Sequence, residues 1–367
     1  HPYVCNSALK RKNSIPIFPS TSKRNSMWGQ VKWIHRRPRA NSNHSIERCF
    51  AAIESGFRAG EELAIDLNTE VVPLATSGVW SMVKNCIATW MIRTDLAHIT
   101  GDINYVVPFL RSNKRLLTVH DVGHVQDPKH SKFKRWLLLL IWFRIPLRFT
   151  DTVICVSEQS LERLNRLVPA ARGQRRVVIP AAILEPSEAP TAPRPFETTK
   201  PVVLQIGSAP HKNLQRVWKA CIDLDCHLAI VGSKTDEIST LQSSYALSHS
   251  IHSTVSDEAL EQLYRHCDVV VFVSTHEGFG MPLIEAQVFG KPCVTSAIEP
   301  MKSNAGDGAF LVDPINTVEI REALHRALTD TEAVAEVAQK GRENAKRFSG
   351  IEVARQHARV YAEEIGN

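Results

Sequence analysis

DVVVFVSTHEGFGMPLIEA, residues 268–286, joins a run of valines to a glycine turn and then to a proline that opens a helical pattern. A continuous apolar run without polar alternation is what a strand buried on both faces requires, and such strands belong to parallel sheets. The turn lies at the strand's carboxyl end. Pro282 stands where the first helical position needs no N–H. Leu283, Ile284, Ala286 and Phe289 then carry the helix, predicted over 281–289, to Gly290. A strand, a tight turn and a helix read as one half of a parallel βαβ unit.

The same alternation runs through most of the chain. VKWI (31–34), VVPL (71–74), LAHIT (96–100), LLTVH (116–120), DTVICVS (151–157) and RVVIP (176–180) read as strands of a first set. Ser45 is placed to cap a helix between them, with Glu47 at its positive end. Residues 185–201, EPSEAPTAPRPFETTKP, hold five prolines and no apolar period, which marks a linker. PVVLQIG (201–207), HLAIVG (227–232), DVVVFVS (268–274), KPCVTS (291–296) and GAFLV (308–312) form a second strand set. Segments 213–224, 256–266 and 317–328 read as its other helices. The expected fold is α/β, with two Rossmann-like domains facing across a cleft. Its parts are a basic arm (1–30), a first domain (31–184), a Pro-rich linker (185–200), a second domain (201–348) and a last helix (349–367) packing back on the first domain.

In open parallel sheets ligands sit at the carboxyl ends of the strands. Gly278 and Gly280 let backbone approach a ligand closely there. The helix end beyond them offers unpaired N–H groups and partial positive charge, which suit a phosphate. Glu277 and Glu285 flank that anion site, and two carboxylates beside a phosphate make sense only if they meet hydroxyls. A ligand with hydroxyls on both sides of a diphosphate is a nucleotide-diphosphate sugar. Glu285 would take the ribose and Glu277 the sugar. The turn GSAPHKNL, with Gly207 and Ser208, brings His211 and Lys212 to the opening of a helix at the same sheet edge, where Lys212 would neutralise the diphosphate. LLTVHDVGH places His120 and Asp121 at a strand end across the cleft, a pairing suited to acid–base or polar contact.

Composition narrows the class. The chain has 367 residues, 43% hydrophobic and 22% charged, in keeping with two globular domains. The net charge is +6, but no acid precedes Glu47 while nine Lys and Arg do, so the excess sits in an arm. Such an arm suits an anionic membrane surface or a phosphate-bearing substrate, and nucleic acid is not the expected partner. The eight cysteines include no Cys-x-x-Cys pair, so reduced thiols in a cytoplasmic protein are expected. The first 30 residues lack an apolar core segment, so no secretory signal is expected. LLLLIWF (137–143) is too short to span a bilayer and has basic flanks. A core helix is the first expectation for it, and a helix lying at the inner face of a membrane is the second.

HEGFGMPLIEA resembles the E-x7-E motif of the family-four retaining nucleotide-sugar glycosyltransferases, which have the GT-B fold. HRRPRANSNHSIERCF, HITGDINYVVPFL, TVHDV, DTVICVSEQS, VLQIGSAPHKNL, HLAIVGS, VSDEALEQLYRHCDVVVFVS, GKPCVTS and DGAFLVDP follow the family in order over roughly 31–350. The resemblance implies that Glu277 holds donor-sugar hydroxyls, that Gly278, Phe279 and Gly280 offer N–H groups, and that Met281 belongs to the same donor-binding turn. It implies that Glu285 binds ribose, Lys212 the diphosphate, and that His120 lies near the reacting bond. It further implies retention by front-face attack, no metal and no cofactor beyond the donor. Two departures stand out: His211 replaces a basic residue, and Gly350 replaces a frequent Trp, which would loosen the last helix.

The nearest motifs suggest a mannosyltransferase of bacterial surface polysaccharide assembly. GDP-mannose is the first donor expected, UDP-glucose the second, and the acceptor a glycan or lipid-linked saccharide. The alternatives are a non-catalytic nucleotide-sugar binder and a GT-B epimerase. GSKT (232–235) fails as a Walker loop because His227 stands where its first Gly should be. DLD (223–225) lies at the wrong sheet edge for a metal motif. No G-x-G-x-x-G follows a strand, which argues against a dehydrogenase.

Overall fold

The computed structural model describes residues 30–38, 45–60, 63, 65–126, 130–187 and 192–366. The first sheet holds β1 (Val31–His35), β2 (Leu67–Val71), β3 (Arg93–Ile99), β4 (Arg111–Val119), β5 (Thr152–Cys155) and β6 (Arg175–Val178). Its order is β2-β1-β3-β4-β5-β6, and every neighbouring pair is parallel. The second sheet holds β7 (Val202–Ile206), β8 (His227–Val231), β9 (His249–His252), β10 (Val269–Phe272), β11 (Cys293–Ser296) and β12 (Phe310–Val312). Its order is β12-β11-β10-β7-β8-β9, again all parallel. β5 and β10 are buried along their whole length, as their unbroken apolar sequences require. The seven cysteines among the described residues are free thiols, and Cys5 of the basic arm lies outside them.

Both sheets change direction at one point. The chain runs from β1 outward to β2, then restarts at β3; it runs from β7 to β9, then restarts at β10. Crevices open at the carboxyl ends of the strands on either side of such a reversal. They are the β1/β3 edge in the first domain and the β7/β10 edge in the second.

The helix Gly350–Gly366 lies on the first sheet, against the helix Ser45–Ala59. A chain of hydrogen bonds pins it. The Trp33 indole N–H donates to the Tyr361 hydroxyl at 2.8 Å, and Tyr361 lies 2.7 Å from His98 Nδ1. His98 Nε2 lies 2.8 Å from the Thr118 hydroxyl. An indole can only donate, and the buried Tyr361 O–H needs an acceptor, which His98 Nδ1 supplies; His98 then carries its proton on Nε2. Gly350 does not loosen this docking. A Cβ there would lie 2.1 Å from the Ala52 carbonyl oxygen, and one on Gly56 would lie 2.1 Å from the Gly350 oxygen. The two backbones touch through paired glycines, and a Trp would not fit.

Four local readings are corrected. The strand expected at 71–74 is Leu67–Val71, because Pro73 has no N–H to continue a ladder. Lys212 does not open a helix. Pro210–Lys212 form a 3-10 turn, Asn213 takes a left-handed conformation (φ 62°), and the helix begins at Leu214. Asn213 holds that conformation because its amide donates to the Val273 and Pro314 carbonyls. Pro282 is the second helical residue, with Met281 first and Gly280 (φ 92°) before it. Last, LLLLIWF is not core throughout: Phe143 is buried, Leu137 is exposed and the rest are half-buried, with a π-turn over Leu140–Arg144.

Candidate active site

The carboxyl ends of β7 and β10 bring together Lys212 and Glu277, 65 residues apart, at the second domain's reversal point. Lys212 Nζ donates to Glu277 Oε1 at 2.6 Å. The lysine stem crosses Gly207, whose φ is 94° and where a Cβ would lie 3.0 Å from it. Its ammonium sits 4.6 Å from the centre of the Phe272 ring. A glycine below and an aromatic face beside it therefore aim this cation. His211 Nε2 lies 3.9 Å from the same Glu277 oxygen, and its ring stands 4.9 Å from His276. Desolvation by burial lowers the His211 pKa despite the pull of Glu277. Ser208 turns its hydroxyl to the Ser233 carbonyl.

The glycine turn is held by its carbonyls. Gly278 O accepts from the hydroxyls of Ser157 at 2.8 Å and Ser160 at 3.2 Å, both on the first domain. Phe279 O accepts from the Asn304 amide at 2.7 Å. In a trans peptide the C=O and the following N–H point in opposite directions. Holding those two carbonyls therefore aims the N–H groups of Phe279 and Gly280 away from Ser157 and Asn304. The amides of Gly278, Phe279, Gly280 and Met281 have no hydrogen-bond acceptor among the described residues. Four unspent donors at a helix end form an anion site.

Glu285 lies one turn into that helix and is 4% exposed. Its Oε1 is 2.9 Å from Arg48 Nη1, and its Oε2 accepts from the Tyr264 hydroxyl at 2.7 Å. Arg48 belongs to the first domain and also reaches Asp257 at 3.4 Å. Each oxygen of Glu285 thus already holds one partner, so a ribose hydroxyl would share an oxygen with Arg48 or Tyr264, or displace Arg48.

His120 follows β4. Its Nε2 donates to the Thr100 carbonyl at 2.8 Å, which leaves Nδ1 as the ring's acceptor. Burial lowers its pKa. Gly101 (φ 136°) makes room for the ring, since a Cβ there would lie 2.6 Å from His120 Cδ2. The His120 carbonyl faces Gly278, where a Cβ would lie 2.5 Å from that oxygen. The first domain's own reversal point carries Arg36, paired with Glu47 at 2.8 Å and with Asp102 at 2.5 Å.

The structure brings Gly207, His211, Lys212, Glu277 and the 278–281 turn to one crevice, with the His120 backbone across from it. Arg48, Tyr264, Ser157, Ser160, Asn304 and the Arg36 pairings are not apparent from the sequence. Ser157 carried one signal, as a serine just before a predicted helix, and it does cap Glu158–Leu167.

Residues 188–347 match the family model described as Glycosyl transferases group 1. Over 174 residues the chain is 25% identical to the N,N'-diacetylbacillosaminyl-diphospho-undecaprenol alpha-1,3-N-acetylgalactosaminyltransferase of Campylobacter jejuni, covering 46% of each protein. It is 33% identical to the O-antigen chain mannosyltransferase B of Escherichia coli over 95 residues, covering 26% of this chain and 25% of that one. The matches thus span about half or less of the length of these curated relatives. Among solved structures, Anabaena HepE in complex with UDP-glucose aligns with a TM-score of 0.70 at 17% identity, over 90% of this chain and 99% of that one. Sucrose-phosphate synthase from Thermosynechococcus elongatus gives 0.70 at 17%, over 91% and 98%. Two all-parallel α/β domains, a turn of open amides between them and these likenesses agree: the chain has the GT-B fold, and its residues 188–347 are a glycosyl transferases group 1 domain.

Proposed function

We propose that the protein transfers a hexose from a nucleotide-diphosphate sugar to a hydroxyl of a glycan or lipid-linked acceptor, with retention and without a metal. The observation that carries this is the meeting of Lys212, Glu277 and the open amides of 278–281 at the β7/β10 reversal. A cation and a helix end there would bind the diphosphate and stabilise it as it leaves. Glu277, held through Oε1, keeps Oε2 for a sugar hydroxyl. The acceptor oxygen would bond to the anomeric carbon as the bond to phosphate breaks on the same face. The departing phosphate oxygen would take the hydroxyl proton, so no enzyme nucleophile is needed. His120, neutral and with Nδ1 as acceptor, would hold a donor hydroxyl or the acceptor beside that bond. Glu285 would take the ribose, sharing an oxygen with Arg48 or displacing it.

GDP-mannose is the first donor proposed, in line with the mannosyltransferase among the relatives. UDP-glucose is the second, in line with the ligand of the Anabaena neighbour. A lipid-linked acceptor, reached by peripheral membrane contact, accords with the Campylobacter relative, whose name includes diphospho-undecaprenol. No helix of the described residues is long and apolar enough to cross a membrane.

A thermal-shift panel of nucleotide-diphosphate sugars tests the donor site. A donor at a hundredfold its Kd should add about 2.7 kcal/mol to stability, enough for a shift of several degrees. Lys212→Met should abolish that shift, measured against the variant's own unliganded melt, which should itself fall because Glu277 loses its partner. A panel in which no nucleotide sugar moves the melt would overturn the donor site. Anomeric analysis of the product by NMR then tests retention.

A further inference from the structure

The helix Val79–Trp90 faces the wrong way for a helix in water. Ser81, Asn85 and Thr89, spaced four apart, are buried. Val79 is 75% exposed, Trp80 80%, Ile87 62% and Trp90 51%. Val83 and Met91 are also exposed on that side. The polar face docks the helix, with Met82 and Cys86 packing on the first domain's core beside it. Asn85 donates to the Leu74 carbonyl at 2.9 Å and the Tyr105 hydroxyl at 3.0 Å, and accepts from Leu74 N–H at 3.1 Å. Thr89 donates back to the Asn85 carbonyl. A surface helix normally shows the reverse pattern.

The outward face borders a cavity of about 680 Å³ lined by Met82, Val83, Ile87, Trp90, Phe109 and Ile145. The cavity lies on the first domain, away from the Lys212–Glu277 crevice, and its walls are almost wholly apolar. Phe133, Trp136, Leu137 and Phe149, in the same 132–149 stretch as the lining residue Ile145, are exposed too. An apolar cavity flanked by this many exposed apolar side chains marks a contact with something. The surrounding charge decides what. Residues 71–94 and 128–150 contain no Asp or Glu. Lys84, Arg111, Lys132, Lys134, Arg144 and Arg148, on or next to the segments that line the cavity, are exposed, and Arg111 lies 4.9 Å from the Trp90 ring centre.

A second copy of the chain would place these basic side chains against their own images, because a two-fold interface pairs each patch with its own image. An anionic bilayer places the same side chains against phosphates, with tryptophans at headgroup depth and aliphatic side chains below. We propose that Val79–Met91, with the segment 132–149 beside it, is an interfacial docking face for an anionic lipid bilayer. This gives the membrane contact proposed above a defined surface. It is independent of the donor crevice, whose nucleotide-sugar thermal shifts stand or fall separately.

The test is co-flotation of the full chain with phosphatidylcholine vesicles, with and without phosphatidylglycerol. Binding is expected to the anionic vesicles, to weaken with salt, and to fall about tenfold in the triple variant Trp80→Ser, Ile87→Ser, Trp90→Ser. Each of these side chains is exposed, and a thermal melt checks that the variant folds. On the unaltered protein, hydrogen exchange should slow in 79–91 on adding anionic vesicles, which keeps the test open if the variant fails. Absence of anionic vesicle binding, equal binding to neutral vesicles, or protection confined to other segments would each overturn the proposal. So would concentration-dependent dimers that the triple variant abolishes in the absence of lipid, which would assign the face to self-association.

Discussion

Gly278→Ala should hold the cleft open without damaging either domain. Gly278 is not in the left-handed region, so alanine meets no backbone strain there. The obstacle is across the cleft: its Cβ would sit 2.5 Å from the His120 carbonyl oxygen, about 1 Å short of ordinary contact. A backbone oxygen cannot rotate away, so the domains must separate by about that amount. The Ser157 and Ser160 bonds to the Gly278 carbonyl, at 2.8 and 3.2 Å, would then pass beyond hydrogen-bond reach. Two such bonds contribute about 2 kcal/mol net to the closed state. Losing them shifts the open–closed balance about thirtyfold. The double variant Ser157→Ala, Ser160→Ala removes the same bonds without the clash, so its fall in kcat/KM should match that of Gly278→Ala while its domains are not forced apart. Small-angle scattering should show a larger radius of gyration for Gly278→Ala, and kcat/KM on the donor found by thermal shift should fall by roughly the same thirtyfold. Unchanged scattering together with kcat/KM within about twofold of the parent would refute the latch.

Two further outcomes concern stability. Gly350→Ala sets a Cβ 2.1 Å from the Ala52 oxygen, a backbone contact with no soft side chain to yield. It should cost about 1–3 kcal/mol as overpacking and lower Tm by several degrees. Gly366→Ala, with nothing within 4 Å, should not, and equal melts for the two would refute the close packing. The second outcome is pH dependence. Burial holds His357, 2% exposed, at a pKa of about 4, and it lowers His98 in the same direction. Between about pH 6.5 and pH 4 the unfolded chain binds protons that the folded one refuses, so stability is whole above that window and falls as pH drops through it. His357 alone accounts for up to about 3 kcal/mol. Urea unfolding across the window should show the slope, and His357→Gln should reduce it by about one proton; an unchanged slope would contradict the assignment.

The two sheets were legible because their strands are too apolar to belong anywhere but between helix layers, as TVIC and VVVF show. The turn at 277–282 was legible because glycine, proline and helix pattern stand together in one short stretch. What escaped were pairings across long separations. Arg48 and Glu285 are 237 positions apart, and nothing in either neighbourhood names the other. The position of Lys212 turned on Asn213, whose left-handed backbone depends on carbonyls at 273 and 314. The helix at 79–90 shows the limit most clearly. No element is assigned there from the sequence, and the side facing inward is decided by Asn85 meeting Leu74 and Tyr105, which periodicity cannot report.

The turn at 278–280 connects closure to ligand binding through the geometry of single peptide groups. The carbonyl of Gly278 and the N–H of Phe279 belong to one rigid plane. Ser157 and Ser160 grip the carbonyl from the first domain, so they also set the direction of the amide offered to an anion. An open cleft would leave that plane free to rotate, and the donor would have to order it at its own cost. A closed cleft has already ordered it. The ligand should therefore bind the closed form more tightly, and closure should be more complete in its presence, because the same coupling acts in both directions. Arg48 acts against this from the other side of the crevice. By occupying Glu285 it stabilises closure without a ligand, and its withdrawal would free the carboxylate proposed for the ribose. On that reading one first-domain contact prepares the phosphate end of the site and another guards the ribose end, and the balance between them sets how readily the closed cleft admits a donor.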